Sequence, residues 1–238
     1  FEAENDTLIV STGEYEGNLG KLTLTVNTDT KKLVEKKATL INKKEALEVT
    51  ADPVVTAKIK EIDEEQKVIL SEVIGTNITE LDGKREHVRA GETNLGNLLT
   101  DAMLNTTGAE VAITNGGGIR ASIDVGEITK GKVIGVLPFG NFIVTKYLTG
   151  KQIKDVIEHG VKDAPNVAGQ FPHVGGIRYV YDPTQPVGSR VVNITLNGEK
   201  IKLEKEYLVA TNDFISAGGD GYPHFTSIKT ENEFSALD

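Results

Sequence analysis

Glu110-Val-Ala-Ile-Thr-Asn115-Gly-Gly-Gly-Ile-Arg120 is the stretch on which the reading of the fold turns. Its first five residues are apolar or β-branched for the most part and too few for a helix. They end on an asparagine and three glycines, the pattern of a buried strand running into a loop. Upstream, Leu95, Leu98, Leu99 and Ala102 share one helical face and predict a helix over 95–104. Downstream, residues 132–137 and 141–148 read as two strands split by Pro138. Thr149, with Gln152 three positions later, forms a capping box for a helix carrying Ile153, Val156, Ile157 and Val161. Further strands are expected at 176–181, 190–196 and 207–212, and a short extended run at 73–78. Strands follow strands as often as they follow helices. The expected class is therefore α/β of the α+β type, with a mixed β-sheet flanked by helices rather than a strict parallel repeat.

Two pieces precede that sheet. Over 19–41, Leu22, Leu24 and Val26 face one way, residues 27–31 make a polar turn, and a second alternating run follows. This is a hairpin, and two strands alone are marginal in water, so it should lean on something larger. Asp52 then caps a helix with Pro53 in its first position, and Val55, Ile59, Ile62 and Ile69 recur at helical spacing. The pair reads as a β-hairpin remnant followed by a linker helix.

With 238 residues, 38% of them hydrophobic, the chain can bury one sizeable core plus an appendage. The net charge of −9 comes without a Lys/Arg run dense enough to track a phosphate backbone, so nucleic acid is not an expected partner. A small anion held by two or three arginines stays open, because local charge decides that case. The absence of cysteine excludes disulfides and thiolate chemistry. Apolar runs are too short to span a bilayer. The chain opens at Phe1 with neither a Met nor a signal segment and reads as part of a longer protein. Four glycosylation-type triplets, at Asn5, Asn77, Asn105 and Asn193, are short enough to arise by chance.

Several motifs tempt and fail. Gly126 to Lys132 almost spells a phosphate loop, but it lacks the hydroxyl residue that would hold magnesium, and it reads as a turn leading into a strand. Gly116 to Ala121 fits a dinucleotide fingerprint, yet Ser122-Ile-Asp-Val-Gly is a poor helix opening and no acidic residue closes a second strand at the expected distance. His87, His159, His173 and His224 are scattered, and neither H-E-x-x-H nor G-x-S-x-G occurs. Neither a catalytic set nor a metal site is expected in this chain.

Three glycine-rich loops and one helix approach survive. In residues 115–120 the glycines let a ligand come close to backbone amides, Asn115 can donate and accept, and Arg120 offers a planar fork for phosphate. Taken alone, the segment serves as well as a tight turn ending on a surface arginine. Leu137-Pro-Phe139-Gly-Asn141 sets an aromatic in a turn, and Thr211 to Gly221 opens a strand into a loop with Phe214, three glycines and Asp220. Two phenylalanines in such loops can clamp a planar base, and Asp220 can accept from ribose hydroxyls. The structural alternative makes both rings core plugs and Asp220 a turn former. Arg89, in the approach to the 95–104 helix, supplies a second anion contact, while Glu92 and Asn94 suit capping and loop bracing.

Together E-T-N-L-G-N-L at 92–98, N-G-G-G-I-R at 115–120, L-P-F-G-N at 137–141 and N-D-F-I-S-A-G-G-D-G at 212–221 resemble the C-terminal domain of the 5′-nucleotidase family, in order and spacing, over residues 75–225. The resemblance implies three parts: closing strands of a metallophosphatase domain over 1–48, with the stretch from Gly13 through Leu22 as its mark, a linker helix over 49–72, and the nucleotide-binding domain over 73–238. It implies that Phe139 and Phe214 sandwich the base and that Asp220 binds ribose hydroxyls. Asn115 is then at the base or sugar edge, Gly117 gives the ligand room, and Arg89 and Arg120 lie on the ribose and phosphate side. It implies two divalent metal ions and a catalytic Asn-His pair on the upstream metallophosphatase domain, whose motifs this sequence lacks. It also implies an extracellular, periplasmic or cell-wall location, a nucleotide or nucleoside ligand, and the metallophosphatase domain as partner. The 2′,3′-cyclic phosphodiesterase/3′-nucleotidase branch shares the architecture but tends to use tyrosine in its clamp. A non-catalytic nucleotide-binding module is a third possibility. A structural or adhesive domain requires buried loop phenylalanines and dispersed arginines.

Overall fold

The computed structural model describes residues 2–4, 7–13 and 17–234. The chain divides into two units, Phe1–Glu65 and Gln66–Asp238. In the first, β1 (Glu2–Glu4) pairs with β2 (Thr7–Ile9), and β3 (Asn18–Val26) forms an antiparallel ribbon with β4 (Leu33–Asn42). Leu22, Leu24, Val26 and Val34 on this ribbon are all exposed. Asn42 caps the short α1 (Lys43–Leu47) with a capping box. Glu14, Tyr15 and Glu16, part of the Gly13–Leu22 stretch, lie outside the described residues. The unit boundary falls within α2 (Pro53–Leu70), where Asp52 accepts from the amides of Val54 and Val55, as the Asp-Pro start predicts.

The second unit is organised by β6 (Val111–Asn115). Val111, Ala112 and Ile113 are wholly buried, which a strand covered on both faces demands. β6 runs parallel to β13 (Glu206–Asn212), pairing Val209 with Val111 and Ala210 with Ala112. The five-stranded sheet has the order β14-β8-β13-β6-β9, with β8 (Ile143–Thr149), β9 (Pro172–Gly175) and β14 (Asn232–Phe234) all antiparallel to their neighbours. It is mixed, as expected.

Side-chain alternation along the strands assigns the two faces. Ala112 and Ala210 pack with Met103 of α4 (Asn94–Thr107). Val111, Ile113, Leu148 and Val209 pack with Ile153, Val156 and Ile157 of α6 (Gly150–Gly160), which starts at the Thr149/Gln152 capping box. Each such fully buried aliphatic contributes roughly 1.5–3 kcal/mol. The second antiparallel sheet, β10 (Ile177–Tyr181), β11 (Val191–Leu196) and β12 (Glu199–Lys200), joins the same core through Ile177, Val191 and Ile194. Two charges tie it to α6. The buried Glu158 accepts from the amides of Arg190 (2.9 Å) and Val191 (2.8 Å), and the Arg190 guanidinium donates to the carbonyls of Val161, Lys162 and Ala164, where the helix dipole favours a cation.

The remaining elements are β5 (Val73–Asn77) paired with β7 (Gly126–Thr129), the single turn α3 (Arg85–Val88), α5 (Lys130–Val136) and α7 (Asp213–Ser216). Here one expectation is corrected. Residues 132–136 are helical rather than extended, with Leu137 as the C-cap, and the glycine-lysine stretch before them is strand β7 leading into that helix. Thr129 caps α5, accepting from the Lys132 amide at 3.3 Å. Val133 and Val136 fall on one helical face, with Val136 buried against a cluster that includes Val88, Leu95 and Ile119. No helix among the described residues is long and apolar enough to cross a membrane.

Candidate ligand-binding site

The sheet register gathers four loops at one end. β6 finishes at Asn115 opposite Pro172, where β9 begins, and β13 finishes at Asn212 opposite Ile143, where β8 begins. The loops beyond these residues contain nearly every residue singled out in the sequence, at the carboxyl ends of the two parallel strands, where open α/β sheets bind ligands.

Asn115 is at the centre and is only 2% exposed. Its Oδ1 accepts from Asn212 Nδ2 at 3.0 Å, and its Nδ2 donates to Asp220 Oδ2 at 2.6 Å. Asn212 also donates to Thr114 Oγ1 and, through Oδ1, caps α7 by accepting from the Ile215 amide at 2.9 Å. This network fixes the Asn115 amide orientation, since a carboxylate can only accept. Much of the Asn115 amide is thereby engaged by protein.

Asp220 occupies a 3₁₀ turn, Gly219–Gly221, with its own backbone in the left-handed region (φ +50°, ψ +22°). For a residue with a Cβ this conformation costs about 1–2 kcal/mol. The carboxylate lies between two glycine backbones. A Cβ on Gly117 would stand 3.0 Å from Oδ2, and one on Gly169 would stand 3.1 Å from it. The Gly117 amide donates to the Gly169 carbonyl at 2.7 Å, closing that wall.

Phe214 on α7 is 45% exposed and Phe139 is 60% exposed, so neither is a core plug. A Cβ on Gly219 would be 2.6 Å from Cε1, Cε2 and Cζ of Phe214 alike. Equal distances to three atoms of one ring end place Gly219 over a face of that ring, directly before Asp220. The Arg120 guanidinium sits 5.7 Å from the Phe139 ring centroid, a cation–π contact worth about 0.5–1 kcal/mol at an exposed site. Its Nη1 also donates to the Gly117 carbonyl at 3.5 Å.

Arg89 joins through its backbone. Its carbonyl accepts from the Ala168 amide at 3.0 Å, and a Cβ on Gly116 would overlap the Val88 carbonyl and stand 3.4 Å from the Arg89 Cα. Only glycine allows this approach. The Val88 carbonyl in turn accepts from Nε2 of His173 at 2.8 Å. His173 is buried, and burial holds its pKa below the ordinary value, so the ring is neutral with its proton on Nε2. Glu92 and Asn94 brace as expected: Asn97 donates to Glu92 Oε1 at 2.8 Å, and Asn94 bridges the Asp82 amide and the Glu80 carbonyl.

The structure thus brings Asn115, Gly117 and Asp220 into direct contact, sets Phe214 over Gly219 beside them, and pairs Arg120 with Phe139. The Arg89 backbone adjoins Gly116. Sequence reasoning missed Gly169, His173 and His159, none of which lies in a glycine-rich motif of its own. Asn212 was in view only as part of one. A separate groove of about 1090 Å³, lined by Glu92, Asn97, Phe171, Arg178, Tyr179 and Tyr181 among others, contains none of the seven residues.

The fold and its loop sequences define a class, the 5′-nucleotidase C-terminal domain, whose family model matches residues 73–227. The chain belongs to that family and carries this domain. It is 39% identical over 245 residues to the trifunctional nucleotide phosphoesterase protein YfkN of Bacillus subtilis, covering 99% of this chain and 17% of that protein. It is 35% identical over 157 residues to protein UshA of Escherichia coli, covering 66% of this chain and 28% of that one. Among solved structures, the 5′-nucleotidase precursor of Thermus thermophilus superposes with a TM-score of 0.73 at 36% identity, over 95% of this chain and 46% of that one. The chain therefore spans less than a third of the length of these two curated relatives.

Proposed function

We propose that residues 73–238 form the nucleotide-recognition domain of a 5′-nucleotidase-type phosphohydrolase, which converts a nucleoside 5′-monophosphate to nucleoside and phosphate. The observation that carries this reading is the Asn115–Asp220 bond at 2.6 Å, which holds a carboxylate between glycine walls beside an exposed phenylalanine. In this reading the base lies between Phe139 and Phe214, and Asp220 accepts from the ribose hydroxyls. Asn115 fixes Asp220 and borders the sugar, and Gly117 leaves room for the ligand. Arg89 and Arg120 face the ribose and phosphate. A stacking clamp admits any flat base, so broad base tolerance is expected.

Residues 1–48 are read as the closing strands of an upstream metallophosphatase domain and residues 49–72 as a linker helix. The exposed apolar side chains of the β3–β4 ribbon support this, because such a ribbon needs a larger sheet or layer to cover it. Two divalent metal ions are assigned to that upstream domain. Among the described residues here, no three His, Asp or Glu side chains gather in a way that fits a metal. In this reading the residues of this chain bind and orient the nucleotide, and the upstream domain carries the bond-making step. An extracellular, periplasmic or cell-wall setting accompanies this reading.

The test is calorimetric titration of the chain with AMP and with adenosine, beside Phe214→Ala and Arg120→Ala. Loss of a stacking face weakens both ligands by roughly tenfold or more. Loss of Arg120 weakens AMP more than adenosine. If neither ligand binds at millimolar concentration, in this chain and in a version extended upstream, the reading is wrong. The trifunctional name of YfkN favours a broader phosphoesterase as second reading, and stronger binding of 2′,3′-cyclic AMP than of AMP would select it.

A further inference from the structure

We infer that His159 is the positioning residue of Asp220, and that selection of a ribose over a sugar lacking its hydroxyls depends on this histidine although it does not border the ligand. The inference rests on the proposed role of Asp220 in holding the ribose.

Asp220 is aimed from two directions. Asn115 grips its side chain, as described above. The backbone carbonyl of the same residue is met by His159 Nε2 at 3.0 Å, across 61 positions of sequence. A carbonyl can only accept, so His159 carries its proton on Nε2 and donates. This bond falls on the one non-glycine of a turn that otherwise uses Gly218 (φ +96°) and Gly221 (φ +73°) for its left-handed positions. Asp220 has no such freedom of its own, and the donated hydrogen bond offsets the cost of its conformation.

The donor is itself immobilised. His159 lies in the last turn of α6, whose Ile153, Val156 and Ile157 are wholly buried. Its ring stands 4.5 Å from that of Tyr222, tilted by 56°, and Tyr222 is completely buried with its hydroxyl donating to the Gln170 carbonyl. A Cβ on Gly221 would lie 3.4 Å from Cε1 of the imidazole, so the turn and the ring are in close register. Burial also favours the neutral ring, whose single proton is then the one on Nε2. The carboxylate is thus held to a rigid helix through its own main chain, and its direction toward the ligand is set from beneath.

The test compares adenosine with 2′,3′-dideoxyadenosine by calorimetry on the full chain, for the wild type, Asp220→Asn, His159→Gln, His159→Leu and His159→Asn. The preference of the wild type for adenosine should be roughly tenfold or more, the scale of hydrogen bonds to a charged acceptor. His159→Leu should lose most of that preference while holding the dideoxy ligand within about twofold of wild type. His159→Gln, whose amide nitrogen can reach the carbonyl as Nε2 does, should restore it. The shorter His159→Asn stands in if the leucine variant does not fold, and should fail to restore the preference. A wild-type preference kept in the leucine or asparagine variant overturns the inference. So does equal weakening of both ligands without rescue by glutamine, which would make His159 a fold element only. If the wild type shows no preference, or Asp220→Asn keeps it, the assignment of Asp220 to the ribose fails instead, whatever His159 does.

Discussion

Replacing Asn115 by aspartate tests the central network with almost no change of shape. The new side chain can still accept from Asn212 Nδ2, the contact now at 3.0 Å. What changes is the other end, where an N–H donating to Asp220 Oδ2 at 2.6 Å becomes a second carboxylate oxygen. A hydrogen bond to a charged group, worth about 1.5–3 kcal/mol, is lost. Two like charges about 4 Å apart add about 4 kcal/mol of repulsion at an effective dielectric of 20. Asp220 is half-buried, so solvent and small rotations reduce the sum, and the expected destabilisation is about 3–5 kcal/mol at pH 7.5. Acid should relieve it. Two carboxyls in contact share a proton, so one step of the pair titrates above the ordinary carboxylate range. A folded-state pKa raised above its unfolded value means a penalty fully present above it that shrinks as pH falls through it. Urea unfolding followed by circular dichroism, on wild type and variant at pH 7.5 and pH 5, reads the difference at each pH. The difference should be smaller at pH 5 by about 1 kcal/mol or more. An equal difference at both values, or a variant as stable as wild type at pH 7.5, refutes the reasoning.

Two more outcomes follow from the buried histidine beneath the site. Gly96→Ala puts a Cβ inside the volume of the His173 ring, forcing the imidazole off the Val88 carbonyl; a loss of about 1–3 kcal/mol is expected in urea unfolding, despite alanine's better helix propensity, and an unchanged midpoint would contradict this packing. His173→Gln keeps a donor for that carbonyl but removes the titration. Because burial lowers the folded pKa of His173 below its unfolded value near 6.5, the unfolded chain takes up the proton first, so wild-type stability is greatest above that value and declines as pH falls through it, by up to about 1.4 kcal/mol per pH unit. The glutamine variant should show a flatter profile between pH 7.5 and 5.5, with a residual slope from His159, whose pKa burial lowers in the same sense.

How much of this was legible in the sequence depended on the range of the interaction. The β6 strand, the Asp52-Pro53 start and the Thr149/Gln152 capping box are local patterns, and the structure has them as read. Residues 132–137 misled because Val133, Ile134, Val136 and Leu137 fit a strand and a single helical turn equally well, and the Thr129 cap decided the matter from outside that window. β9 escaped notice because it is four residues long, starts on a proline and sits at a sheet edge, where a missing amide is tolerated. The site residues were visible as glycine-rich loops with aromatic, arginine and carboxylate members. Their mutual contacts were not, since Asn115 meets Asp220 across 105 positions and His159 meets it across 61. The exposure of both phenylalanines could not be read from their neighbours either.

The place of β13 in the sheet bears on how the domain comes to exist during synthesis. It lies between β8 and β6, bonding to both, yet among the described strands only β14 leaves the ribosome after it. Until residues 206–212 emerge, β6 and β8 each present a bare inner edge. Pairings so distant in sequence form slowly, and unpaired edges are where chains aggregate. A chain stopped just before Glu206 would therefore leave β6 paired with β9 alone and β8 with no sheet partner. Since Asp220 follows β13 by eight residues, the segment that joins β6 to β8 also brings in the carboxylate that Asn115 holds.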